Sequence, residues 1–180
     1  KFNMKAIVYH KYGSPDDLRI EDIQKPIPGD DEVLLKTYAV SINSWDWDTL
    51  TGKPFEYRFL FGLLKPKSTK MHGCDIAGKI EDIGKNAERF QVGDEVFGDL
   101  AEDGWGAFAE HTCVCENQLA LKPSRMTFEE AACLSHGGNL AVQGLIDYGK
   151  IKSGHKVLIN SCRSHRYIRH NAYSWRRPCD

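Results

Sequence analysis

Apolar and polar positions along the chain change period several times, and the changes mark elements. Met4 to His10 is a short β-rich run, broken by the turn residues Tyr12-Gly13-Ser14-Pro15. Leu18 to Ile23 alternates apolar and charged residues, as a half-buried strand does. Pro26 to Asp31 reads as a turn, and Glu32 to Asn43 is the longest strand candidate. Ser44 is placed to cap a short helix over Trp45 to Thr51, which Gly52 ends. Lys53 to Lys70 is an irregular loop dense in aromatic and apolar side chains, which pack onto a barrel or line a pocket.

From Met71 to Gly98, glycines and β-branched residues alternate with charges. The pattern predicts two sharply bending strands, with glycine where backbones approach or φ turns positive. Gly104 to Cys115 and Gln118 to Lys122 read as further strands. Thr127-Phe128-Glu129-Glu130 is a capping box opening a helix through Ala131, Ala132 and Cys133. A second helix is expected from about Gly138 to Tyr148, ended by Gly149. Lys156 to Asn160 is a continuous apolar run of the kind found in a buried parallel strand. The order predicts a mostly β protein with some α, a barrel-like domain leading into an α/β domain.

Composition narrows the function classes. The chain has 180 residues, 41% hydrophobic and 27% charged, enough for one domain and part of another. A formal net charge of −1 gives no electrostatic case for nucleic acid or an anionic membrane as partner. No apolar run has the length to span a bilayer, and the first residues lack a signal-peptide core, so Met4 reads as a natural start. Six cysteines form no CxxC pair and match no zinc ribbon or finger. Reduced thiols in a cytoplasmic compartment are expected.

Seven ordered stretches then carry a resemblance: MKAIVYHKYGSPDDL, EVLLKTYAVSINSWDW, GCDIAGKIEDIG, FQVGDEVFG, GWGAFAEH, TFEEAACL and KVLIN. Together they resemble the medium-chain dehydrogenase/reductase superfamily, in its zinc-independent, quinone-oxidoreductase-like branch. The resemblance implies a GroES-like β-barrel over residues 4–126 and the start of a nucleotide-binding Rossmann domain over 127–160. It implies hydride transfer from NADPH, or from NADH, to a small-molecule quinone, enone or carbonyl, and a homodimer in the intact parent.

The site residues follow from the same resemblance. Asn43 and Asp46 are the catalytic candidates, with Trp45 and Tyr57 lining a substrate pocket. Asn43, Asn139, Leu140 and Asn160 are the cofactor-binding candidates. From the residues alone, Asn43 can also close a strand end, Asp46 equally serves as a first-turn carboxylate, and packing is the favoured use of Tyr57. Zinc-dependent relatives place a Cys ligand at Asn43, a His at Cys74 beside an acidic residue matched by Asp75, and a third ligand near His136. An amide at the first position argues against zinc, so no zinc is expected, and Cys74, Asp75 and His136 remain weak metal candidates. Cys113 and Cys115 do not reproduce the four-cysteine structural-zinc lobe of relatives. A zinc alcohol dehydrogenase and a non-enzymatic barrel fragment are the alternatives.

One expected motif is missing. A dinucleotide-binding strand needs a glycine-rich turn into a helix, and relatives read roughly N-G-A-S-G-G-V-G there. This chain continues Ser161-Cys162-Arg163-Ser164-His165 and has no glycine after Gly154. Residues 161–180 hold five arginines, two histidines and one acidic residue, an aberrant basic tail expected to be disordered. Tyr173 to Pro178 can be encoded by TAC AGT TGG CGA AGG CCT. Read from the third base, this gives Gln-Leu-Ala-Lys-Ala, typical of the helix after the missing loop. The expectation is a frameshift or sequencing error near Ser161 and a chain with impaired dinucleotide binding. NADPH titrated into the chain should give no saturable fluorescence change; micromolar saturable binding would contradict this.

Overall fold

A computed structural model of the chain describes residues 3–67, 73–101 and 105–158. Seven strands and three α-helices follow in order, with short 3-10 turns between. β1 (Asn3–Val8) pairs antiparallel with β2 (Arg19–Gln24) as a two-stranded sheet. β3 (Glu32–Val40), β4 (Asp75–Ile83), β5 (Glu95–Asp99), β6 (His111–Cys115) and β7 (Leu119–Leu121) form a five-stranded antiparallel sheet. Its order is β6-β3-β4-β5-β7. A bridge between Ala6 and Ala109 ties the two sheets, supported by Ile7 N–H to the Phe108 carbonyl at 2.9 Å. The chain is mostly sheet with some helix, as the polar-apolar pattern predicts.

Alternation builds the core. Val33, Leu35, Ile76, Ile80, Val96, Val114 and Leu119 point to one face and bury together with Phe90 and Leu100. Each such side chain contributes about 1.5–3 kcal/mol by leaving water. On the opposite face, Ala77 packs against Ala131 and Ala132 at the start of α3 (Phe128–Val142). Only small residues let a helix lie that close to a sheet. The predicted capping box forms: Glu130 N–H donates to Thr127 Oγ1 at 3.2 Å, and Thr127 N–H to Glu130 Oε2 at 3.0 Å. Lys122 pins this corner, with Nζ 3.1 Å from Glu95 Oε2 and 2.7 Å from the Met126 carbonyl, its side chain only 4% exposed.

Several elements differ from their sequence expectation. The long strand stops at Val40, before Asn43, because the chain turns into α1 (Ser44–Thr51). Asn43, not Ser44, is the cap residue of α1, and Gly52 closes it at φ 60° as expected. The aromatic loop contains a short helix, α2 (Tyr57–Phe61). Of Gly104 to Cys115, only His111–Cys115 is a strand, since Gly106 at φ 110° breaks the extension. The two expected helices are one run: α3 continues through Gly137 and Gly138 into a π-helix, Gln143–Tyr148. Helical hydrogen bonding here overrides the weak propensity of glycine. Lys156 to Leu158 are not in a strand, while Ile159, Asn160 and the tail lie outside the described residues.

The chain divides into two compact units, residues 1–135 and 136–180. In the second, no described residue is fully buried. Among the described residues no helix is long and apolar enough to cross a membrane.

Gly78 lies where β4 runs against β3, and a Cβ there would collide with the Lys36 carbonyl oxygen. That backbone is held by the ladder on both sides, so it cannot yield cheaply. Gly78→Ala should therefore lose about 1–3 kcal/mol of unfolding free energy in urea. Gly137→Ala, with open space around its Cβ, should not lose any.

Candidate functional site

The site grows from the junction of β3 and α1. Asn43 is extended at φ −128°, ψ −176°, and its Oδ1 accepts the Trp45 N–H at 2.9 Å. Its own N–H donates to Asp46 Oδ2 at 2.8 Å, which completes a reciprocal cap. Because Oδ1 is held by a backbone donor, the amide orientation is fixed by the network and Nδ2 faces β4. Nδ2 donates to Cys74 Sγ at 2.9 Å and to Asp75 Oδ2 at 3.0 Å. Ser41 Oγ donates to the same Asp75 oxygen at 2.9 Å. Cys74, Asp75 and Asp46 are 0%, 3% and 1% exposed. One amide thus joins the start of α1 to the start of β4.

Electrostatics at this junction favour a neutral thiol. Burial pushes the Cys74 thiol up to about 12, against the opposing effect of the hydrogen bond from Asn43. The nearby carboxylates of Asp75, Asp99 and Asp46 push the same way as burial.

Beside this network stand four aromatic rings in a closed circuit. Trp45 stacks on Tyr57, centroids 5.8 Å apart and planes 5° from parallel. Tyr57 meets Phe61 edge-on at 6.4 Å, Phe61 meets Trp105 edge-on at 6.0 Å, and Trp105 returns to Trp45 at 5.7 Å. α1 supplies Trp45 and α2 supplies Tyr57 and Phe61. Arg58 holds the two helices together: its Nε donates to the Gly52 carbonyl at 3.0 Å and its guanidinium lies 4.5 Å above the Tyr12 ring. Tyr12 in turn donates its hydroxyl to the Gly62 carbonyl at 2.6 Å. Trp105 has φ 68°, a left-handed conformation that costs a bulky residue on the order of 1–3 kcal/mol. Strain of that size is held only where surroundings over-determine it.

Of the sequence candidates, the structure brings Asn43, Asp46, Cys74 and Asp75 into one hydrogen-bonded group, and Trp45 and Tyr57 into one stack. His136, Asn139 and Leu140 lie on α3 in the second unit, with Asn139 and Leu140 exposed. Asn160 is outside the described residues. Phe61 and Trp105 were missed as ring partners. Phe61 sits in a loop where every aromatic looks alike, and Trp105 is distant in sequence from the helices it meets. The cue available was the Gly-Trp-Gly sequence at Gly104 to Gly106, which frees the backbone on both sides of a large ring.

Residues 29–124 match the model of the alcohol dehydrogenase GroES-like domain. The chain belongs to that family. This GroES-like chain sits in the medium-chain dehydrogenase/reductase superfamily, close to its quinone oxidoreductases. A 2-methylene-furan-3-one reductase of Solanum lycopersicum is 35% identical over 87% of this chain and 40% of its own length. An NADPH-dependent alkenal/one oxidoreductase of Arabidopsis thaliana is 32% identical over 87% of this chain and 40% of its own length. The structure of the quinone oxidoreductase from Coxiella burnetii superposes with a TM-score of 0.76 at 27% identity, covering 85% of this chain and 47% of that one. The GroES-like chain therefore spans less than half the length of these relatives.

The thiol makes stability pH-dependent with a definite sign. An unfolded Cys74 loses its proton near pH 9.0, whereas the folded one keeps it to about 12. Between those values the native state binds more protons, so stability falls as pH rises. Cys74 contributes up to about 1.4 kcal/mol per pH unit to that fall. Urea unfolding curves of Cys74→Ala should decline less steeply above pH 9.0 than those of the parent. Parallel declines would refute the assignment.

Proposed function

We propose that this chain is the substrate-side part of an NADPH-dependent reductase of quinones, enones or related carbonyls. The observation that carries the reading is the aromatic circuit set two residues from Asn43, on a helix whose start that amide fixes. Planar conjugated substrates stack on such rings, and each well-placed aromatic contact adds about 0.5–1.5 kcal/mol. The relatives named above reduce substrates of this conjugated kind by their names, which supports the assignment.

Asn43 and Asp46 act in this reading as positioning residues. Both amide hydrogens of Asn43 are committed to Cys74 and Asp75, and Oδ1 serves the Trp45 and Asp46 N–H groups in the first turn of α1. Asp46 holds the Asn43 backbone, and Trp45 and Tyr57 supply the stacking wall. NADH serves in place of NADPH if the nucleotide-binding part selects it.

No zinc is proposed between Cys74 and Asp75. The amide directs its N–H groups at Cys74 and Asp75, so a donor faces the atoms a cation would need. The raised thiol pKa adds the cost of forming the thiolate. Among the described residues Lys156 to Leu158 form no strand, so no NADPH contact is assigned to them. We assign residues 4–126 to the substrate domain and 127–160 to the beginning of the nucleotide-binding domain. The intact parent is proposed as a homodimer. The described cysteines are all thiols, which supports a cytoplasmic, reducing compartment.

Tryptophan emission tests the reading directly on this chain. Titration with 1,4-naphthoquinone should quench it saturably, and Tyr57→Ala should weaken the apparent affinity by roughly three- to tenfold. Quenching that stays linear with quinone concentration would remove the proposal.

A further inference from the structure

β6 carries a second chemistry that the reductase reading does not use. Its burial alternates, with Thr112 and Val114 turned into the core and His111, Cys113 and Cys115 on the other face, each half-buried. β6 ends the five-stranded sheet, with only β3 beside it in that sheet. Both cysteines are thiols. Alternate residues of a strand stand about 6.6 Å apart, from a rise of roughly 3.3 Å per residue. A disulfide needs Cβ atoms within about 4.5 Å, so these two do not close one without distorting the strand. Two metal–sulfur bonds of about 2.3 Å bring the sulfurs only to about 4.6 Å of each other, which two Cys side chains leaning together reach.

We propose that Cys113 and Cys115 form a two-sulfur site for a soft, thiophilic cation of the Cu(I) class. Thiolate sulfur selects such ions over hard cations. On binding, two S–H bonds give up their protons to solvent and two sulfur–copper bonds form, with no change of oxidation state. The surroundings supply both signs of charge. On β3, Lys36 pairs in register with His111, and Glu32 with Cys115. The Glu32 carboxylate is drawn to the Gly29 N–H at 2.8 Å. His111 stands on the same face of the strand, two residues before Cys113. Its Nε2 lies 2.9 Å from Glu81 Oε2, while its Nδ1 is buried with no hydrogen-bond partner among the described residues. Glu81 also takes the Lys25 ammonium at 2.8 Å, which holds the imidazole in place.

The test uses the whole 180-residue chain under anaerobic conditions. Cu(I) is titrated against bicinchoninate, and alkylation by iodoacetamide is mapped by peptide mass with and without the metal. The expected result is a single Cu(I) that protects Cys113 and Cys115 together. Cys113→Ser and Cys115→Ser should each weaken binding by more than about a hundredfold, and Cys133→Ser should leave it unchanged. Protection in the parent chain does not depend on any variant folding. Protection confined to other cysteines, or a Cys113→Ser chain that binds as tightly as the parent, would overturn the site.

Discussion

The Asn43 side chain is the constraint on which the site depends. Its carboxamide is short, rigid and two-sided, and the fold uses both sides. The oxygen ends a strand and starts a helix by taking the Trp45 N–H, and the nitrogen ties that corner to Cys74 and Asp75 on another strand. A carboxylate at this position would lose both donors beside buried Asp75 and meet like charge. An aliphatic residue would take the Asn43 donor away from Asp75 and uncap α1, at a cost of about 1 kcal/mol for the cap. The amide is therefore a geometric requirement before it is a chemical one.

That requirement reaches the aromatic wall through backbone alone. Trp45 is the second residue of α1, so the direction of its ring follows from where the helix begins. Arg58 and Tyr12 then fix α2 against the end of the same helix, which sets Tyr57 opposite Trp45. Hydrogen bonds between side chain and backbone, not ring contacts, set the spacing. The rings contribute area and shape once they are there.

The strand alternation of β3 to β5 and the capping box at Thr127 were legible because they rest on local periods and local hydrogen bonds, whereas the cap of α1 fell on Asn43, one residue before the expected Ser44. Asn43 was legible as a site through the motif around it, but its pairing with Cys74 joins residues 31 apart and has no local signature. Trp105 is sixty positions from Trp45 and could not be paired by spacing. The strand expected at Lys156 to Asn160 shows the opposite failure. Its apolar run is a good strand sequence, yet a parallel strand needs neighbours, and Lys156 to Leu158 are not in one.

The second unit gives one further consequence. Leu140, Val142, Ile146, Tyr148 and Leu158 are 47% to 92% exposed, and none of its described residues is buried. Apolar side chains without a core add nothing to cooperative unfolding. Amides of residues 143–158 therefore exchange their hydrogens by local opening, while those of β3 and β4 wait for the sheet itself to come apart. Among the described residues every buried side chain lies in the first unit, so substitutions that cost folding stability concentrate there.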